Sequence, residues 1–137
     1  MEVLSSRILL RPAHPERSHR FYRDVLGLAV YREFGPRDSP GTVFFAGSGF
    51  IEVSGSEPAQ ASPTAMIWLQ VRDVRAEYAR IAAAPLADTG ARVLREPVTE
   101  PWGLTEAWIA DPDGTRIVLV EVPADHPIRR DTRSDLS

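Results

Sequence analysis

The chain has 137 residues, of which 43% are hydrophobic and 26% charged, and carries a net charge of −3 at pH 7. That is one ordinary domain, or two small halves sharing a core, and the composition argues against disordered, collagen-like and transmembrane classes. No cysteine is present and all sixteen basic residues are Arg, which excludes disulfides, thiolate metal sites, cysteine nucleophiles and Schiff-base lysines.

No apolar run approaches the roughly 18 residues that span a bilayer, and the N-terminal "MEVLSSRILLRP" lacks the layout of a signal peptide. The expectation is therefore a cytoplasmic protein with no membrane partner. The arginines are scattered and the net charge is negative, so nucleic acid is not expected as a partner either.

Along the chain, Val3 to Arg11 reads as a strand and "PAHPERSHRFYRDVLGL" as a helix, with Pro15 in the first turn and Gly27 placed to end it in the left-handed conformation. Three extended runs follow, "LAVYREF", "GTVFFAG" and "GFIEVSG", separated by "GPRDSPG" and "GSG". Residues 56–64, rich in Pro, Ser and Ala, read as a linker between module one (1–55) and module two (65–123). The second module opens with the strand "AMIWLQV". Asp73 caps a helix through "VRAEYARIAAA", and the strands "ARVLREPV", "TEAWIA" and "TRIVLVEV" complete it, the last two joined by the turn "DPDG". Residues 124–137 are charged and aperiodic and are expected to form a mobile tail.

Both halves thus read βαβββ. "GLAVYREFGP" and "GARVLREPVT" repeat a glycine, valine, arginine and glutamate at the same offsets, at the same place in each half, which internal duplication explains.

"RSHRFYRDVLGLAVYRE" and "EPWGLTEAWIADPDGTRIVLVE" give the chain a resemblance to the vicinal oxygen chelate superfamily, which includes glyoxalase I, bleomycin-resistance proteins and extradiol dioxygenases. The resemblance implies an α+β fold of two βαβββ modules with U-shaped sheets around a cup. It also implies a homodimer in which both chains commonly build each cavity. In catalytic relatives four inward side chains, usually His, Glu or Gln from the first and last strand of each module, hold a divalent metal.

Carried onto this chain, those four positions are Arg7, Glu52, Met66 and Val118. Arg cannot donate a lone pair, and Met and Val offer a hard divalent cation nothing, so no metal and no other cofactor is expected. A one-residue slip would move each side chain to the opposite face of its strand and would not restore the site. His14, His19 and His126 lack convergent partners and read as solvated surface residues.

Arg7 and Glu52 are instead expected to pair across the sheet, either as a self-neutralising ion pair or as a contact for a ligand oxygen. Strand alternation puts Met66 and Trp68 on the face of the former ligand position, and Val118 likewise, with a core role favoured over pocket lining for Trp68. Trp102, in the loop "EPWG", is placed to stack on a planar ligand; Phe45 rather than Phe44 is expected to face inward, and the face taken by Trp108 stays open.

The resulting expectation is a metal-free protein, similar to bleomycin-resistance proteins, that sequesters a partly aromatic small molecule such as an antibiotic or secondary metabolite. Its ligand-binding residues would be Arg7, Phe45, Glu52, Met66, Trp68, Trp102, Trp108 and Val118. The alternative is a divergent glyoxalase-like lyase or dioxygenase, metal-dependent or with Glu52 as general base.

Overall fold

A computed structural model of the chain describes residues 1–56, 62 and 64–130. Most of the expected linker and the last seven residues of the expected tail lie outside the described residues.

Module one runs β1 (Arg7–Leu10), α1 (Pro15–Arg20), a π-helical turn (Phe21–Val25), β2 (Val30–Phe34), β3 (Gly41–Ala46) and β4 (Gly49–Val53). Module two runs β5 (Met66–Gln70), α2 (Val74–Ala82), α3 (Leu86–Thr89), β6 (Arg92–Thr99), β7 (Thr105–Ala110) and β8 (Arg116–Glu121), followed by α4 (Pro127–Arg130). Each module forms a four-stranded mixed sheet with the same plan. The order is β1-β4-β3-β2 in one and β5-β8-β7-β6 in the other, and the first strand lies parallel to the last. The βαβββ duplication read from the sequence is the fold.

The local signals act where expected. Asp73 Oδ1 accepts from the amide of Ala76 and caps α2 at 3.0 Å. Gly27 and Gly90, the repeated glycines, both take positive φ, +75° and +84°. Three boundaries differ from the sequence reading. β1 is shorter than Val3 to Arg11, the first helix widens into a π turn after Arg20, and Gly90 ends the separate short helix α3 rather than α2.

One hydrophobic cluster serves both modules. Phe21, Tyr22 and Val25 of the first helix, Phe44, Ile51 and Val53 of the first sheet, Val74 and Ile81 of α2, and Ile67, Ile109, Ile117 and Leu119 of the second sheet all belong to it.

Polar bonds stitch the same boundary. Arg80 of α2 donates to the Val25 carbonyl at 2.6 Å and the Leu26 carbonyl at 3.0 Å, satisfying the exposed end of the first module's helix. Reciprocally, Arg20 donates to the Asp88 carbonyl in α3 at 3.3 Å. The Tyr22 hydroxyl donates to Asp111 Oδ2 at 2.8 Å in the interior. The other oxygen of Asp111 accepts the amides of Asp113 and Thr115, forming the β7–β8 turn. Asp113 Oδ1 in turn accepts the Ala13 amide at 3.3 Å.

Asp111 is therefore both turn-former and inter-module clasp. Asp111→Ala should destabilise the protein by about 2–4 kcal/mol, because it strands a buried hydroxyl and two turn amides; Tyr22→Phe should cost about 1–2 kcal/mol. Urea denaturation checks both, and an Asp111→Ala midpoint equal to wild type would remove the clasp from the account.

Candidate functional site

In each sheet, residues directly opposite one another across the strands share a face. Ile8, Ile51 and Phe44 form one cross-strand row and Leu10, Val53 and Thr42 the next; Phe44, Ile51 and Val53 of these rows belong to the core shared with the helices. Arg7, Phe50 and Phe45, then Leu9, Glu52 and Val43, form the rows of the opposite face.

On this open face Glu52 is 9% exposed and fully engaged. Oε1 accepts from Arg7 Nη1 at 2.9 Å; Oε2 accepts from Ser54 Oγ at 2.7 Å and pairs with Arg11 Nη1 at 3.5 Å. The Ser54 hydrogen bond, followed by the charge and hydrogen bonding of Arg7, holds the carboxyl below its ordinary value against the opposing effect of burial. Two guanidiniums surround one carboxylate, so the cluster carries a surplus positive charge. Beside it stands an aromatic group: Tyr31, Phe45 and Phe50 meet with ring centroids 5.0, 5.0 and 5.7 Å apart, and Arg7 lies 6.0 Å from the Phe50 ring.

Module two presents the matching face with different chemistry. Trp68, Val118 and Trp108 form one cross-strand row, and Arg95 of β6 continues it beside Trp108. Glu106 holds two indoles: Oε2 accepts from Trp102 Nε1 at 2.9 Å and Oε1 from Trp108 Nε1 at 3.3 Å. Arg95 pairs with Glu106 at 3.9 Å, pairs with Glu100, and stacks 4.8 Å from the Trp108 ring. Here two carboxylates surround one guanidinium. Trp102 is 58% exposed yet tied by its indole nitrogen, which presents a flat ring in a set pose.

Arg7 and Trp68 come together. With Ser6, Phe50, Gly49 and Leu69 they line a cleft of about 220 Å³ where the open end of the first sheet meets β5.

The model of the Glyoxalase/Bleomycin resistance protein/Dioxygenase superfamily matches residues 5–119, most of the chain and both modules. The chain belongs to this superfamily. Maize glyoxalase I has the same fold, with a TM-score of 0.69 at 24% identity; the match covers 84% of this chain and 44% of that one, so this chain spans under half the length of the maize enzyme. A glyoxalase-related enzyme from Fulvimarina pelagi superposes with a TM-score of 0.68 at 20% identity over 90% and 91% of the two chains. A superfamily member from Sphaerobacter thermophilus does so with a TM-score of 0.65 at 18% identity over 88% and 98%. No curated protein matches the sequence.

The metal that the superfamily implies can be tested against the donors at its four positions. Arg7 is a cation, Glu52 spends both oxygens on Arg7, Arg11 and Ser54, Met66 offers a soft thioether, and Val118 offers no donor. Among the described residues, no group of three or more His, Cys, Asp or Glu converges to hold a metal elsewhere. The residues of this superfamily member do not fit the metal.

The other sequence-derived residues fall as follows. Phe45, 42% exposed, takes the open face and Phe44 the core. Trp68 is 47% exposed and so is not core filling; Trp108, undecided in the sequence, turns to the open face through its bond to Glu106. Val118 is 5% exposed and packs with Leu104, Val120, Val122 and Trp108 as floor rather than wall. His19 is not the solvated residue expected: its Nδ1 meets Thr42 Oγ1 at 3.2 Å, and burial holds the imidazole below its ordinary value. His126 also has partners, the Trp102 carbonyl and the Ile128 amide.

Sequence reasoning missed Arg11, Ser54, Tyr31 and Phe50 around Glu52, and Arg95, Glu100 and Glu106 around the indoles. Ser54 lies two residues beyond Glu52 and Arg11 four beyond Arg7, and period-2 alternation could have found them.

The depressed acidity of Glu52 has a signed consequence. The unfolded chain takes up the proton first as pH falls, so the stability this carboxylate contributes is present above its ordinary 4.5 and lost as pH falls through the lower folded value. The stability difference between wild type and Glu52→Gln should therefore shrink from pH 7 to pH 3.5 in urea denaturation. A difference that grows towards acid would contradict the Ser54 and Arg7 bonding described above.

Proposed function

We propose that the protein is a metal-free binder that sequesters a partly aromatic small molecule, such as an antibiotic or secondary metabolite, after the manner of bleomycin-resistance proteins. The observation that carries this reading is the state of Glu52: the one carboxylate at the four family positions is locked between two guanidiniums and a serine hydroxyl. A carboxylate so held is a poor metal ligand and a weak general base.

What surrounds it suits recognition. The aromatic group of Tyr31, Phe45 and Phe50 and the indoles of Trp68, Trp102 and Trp108 supply flat apolar surface, and the exposed parts of Arg7 and Arg11 supply donors for an oxygen on the ligand. Met66 and Val118 add apolar contact. Trp102 and Trp108 are already oriented by Glu106, so little conformational freedom is lost when a planar compound stacks on them. Binding by burial and stacking breaks no bond.

The same reading includes a homodimer in the cytoplasm. The open faces expose Leu9, Tyr31, Phe45, Met66 and Trp68, and a second copy covering them would turn each open face into a closed cavity.

Native mass spectrometry of protein purified without chelator, with metal analysis of the same sample, should find a dimer without stoichiometric Fe, Mn, Ni or Zn. A full-occupancy divalent ion lost on Glu52→Gln would overturn the reading. Planar aromatic compounds should quench tryptophan fluorescence, and Trp102→Ala should weaken the tightest of them by about tenfold or more, the range of a stacking contact in a recognition site.

A further inference from the structure

In both ion clusters of the open faces the carboxylates lie underneath and the guanidiniums outside. The side chains of Glu52, Glu100 and Glu106 are at most 12% exposed, whereas those of Arg7, Arg11 and Arg95 are at least 37% exposed. An arriving molecule therefore meets guanidinium N–H groups before carboxylate oxygens. The two clusters differ in balance. Around Arg95 two carboxylates more than neutralise the guanidinium; around Glu52 one carboxylate is shared by two guanidiniums, and one positive charge remains.

Position within that cluster singles out Arg7. Arg11 is committed to Ser54, donating to its hydroxyl and its carbonyl as well as pairing with Glu52. Arg7 gives Glu52 one nitrogen, Nη1, of a five-donor fork, lies against the Phe50 ring, and lines the 220 Å³ cleft together with Trp68. A second hollow of about 520 Å³ shares Ala46, Trp68 and Leu69 with that cleft and is also lined by Gln70 and Arg72. Among the described residues lining the two hollows the charged ones are Arg7 and Arg72, and none is an acid. Trp68, nearly half exposed, is thus a flat wall common to two hollows whose charged lining is cationic.

We propose that the ligand of this site is a planar aromatic carboxylate: its ring stacks on Trp68, its carboxylate seats on the guanidinium of Arg7, and Glu52 is the resident counter-ion that holds Arg7 and sets how tightly an anion binds. A carboxylate matches the planar fork of a guanidinium and is the group Arg7 already meets, at 2.9 Å, in Glu52. A cationic ligand would instead meet a surplus of its own sign. Because Glu52 competes with the ligand for Arg7, removing its charge strengthens the attraction for an anion, a gain that a purely structural ion pair would not give. The inference rests on the binding reading above and narrows it, since a neutral or cationic aromatic ligand satisfies that reading and not this one.

Isothermal titration calorimetry of the full-length protein at pH 7 with naphthoate, naphthamide and the naphthylmethylammonium ion separates charge from shape. The acid should bind about tenfold more tightly than the amide, the low end for a hydrogen bond to a charged group because Arg7 is partly exposed, and the ammonium ion more weakly than the amide. Arg7→Gln should bring the acid down to the affinity of the amide and leave the amide unchanged; Arg7→Lys, which keeps the charge without the fork, should fall between. Glu52→Gln, shown by circular dichroism to be folded, should raise affinity for the acid about fivefold and not for the amide. Trp68→Ala should weaken acid and amide alike. Equal binding of acid and amide, an acid preference that survives Arg7→Gln, acid binding that ignores Trp68→Ala, or no gain in folded Glu52→Gln would overturn the inference and leave the binding reading standing. If none of the three compounds binds, both fall together.

Discussion

The buried hydrogen bond from Tyr22 to Asp111 joins two half-domains that share one core. Asp111 stands at the tip of the β7–β8 hairpin and Tyr22 in the helical segment of the other module, so the bond sets how the modules sit against each other. Burial raises the carboxyl above its ordinary value even as the Tyr22 hydroxyl and two amides work to lower it, which shows how far the group has been withdrawn from water. Arg80 on the Val25 and Leu26 carbonyls and Arg20 on the Asp88 carbonyl extend the junction outward, each module's helix end meeting an arginine from the other.

With one face of each sheet committed to that core, the other face is left open. The two open faces share a plan and differ in charge. Around Glu52 two guanidiniums enclose one carboxylate beside phenyl and phenol rings; around Arg95 two carboxylates enclose one guanidinium beside indoles. Duplication supplied the same frame twice, but the two clusters sit at different places on it: Glu52 stands on β4, the last strand of its module, and Arg95 and Glu106 on β6 and β7 of the other. The same frame in catalytic relatives directs four ligands at a metal, and here it directs an ion pair, a thioether and a valine.

Much of this was legible in advance because it depends on local rules. The repeated glycines both take positive φ just before the strand that follows them, β2 and β6, since a chain turning from a helical segment into a strand there needs a left-handed residue. Asp73 caps its helix as read, and the alternation that separated Phe45 from Phe44 follows from strand geometry. The pairing of Arg7 with Glu52 was legible too, because β1 and β4 are the first and last strands of a module and lie side by side. The face taken by Trp108 was not, because its bond to Glu106 depends on how β7 sits between β6 and β8. His126 was unreadable for a similar reason: nothing within the tail's own sequence indicates that it folds back on Gly103 across 23 residues of chain.

By itself, the sequence determined the duplicated βαβββ plan and the two-sided strands, because periodicity, caps and turn residues act over a few neighbours, and its resemblance to the superfamily pointed to Arg7, Glu52, Met66 and Val118. Only the tertiary structure decided which side chains converge on those positions. Arg11 and Ser54 close around Glu52, Glu106 gathers two indoles, and His126 meets the Trp102 carbonyl from the C-terminal turn. Each of these contacts joins residues whose meeting is set by strand register or chain return, and neither is encoded in any single stretch of sequence.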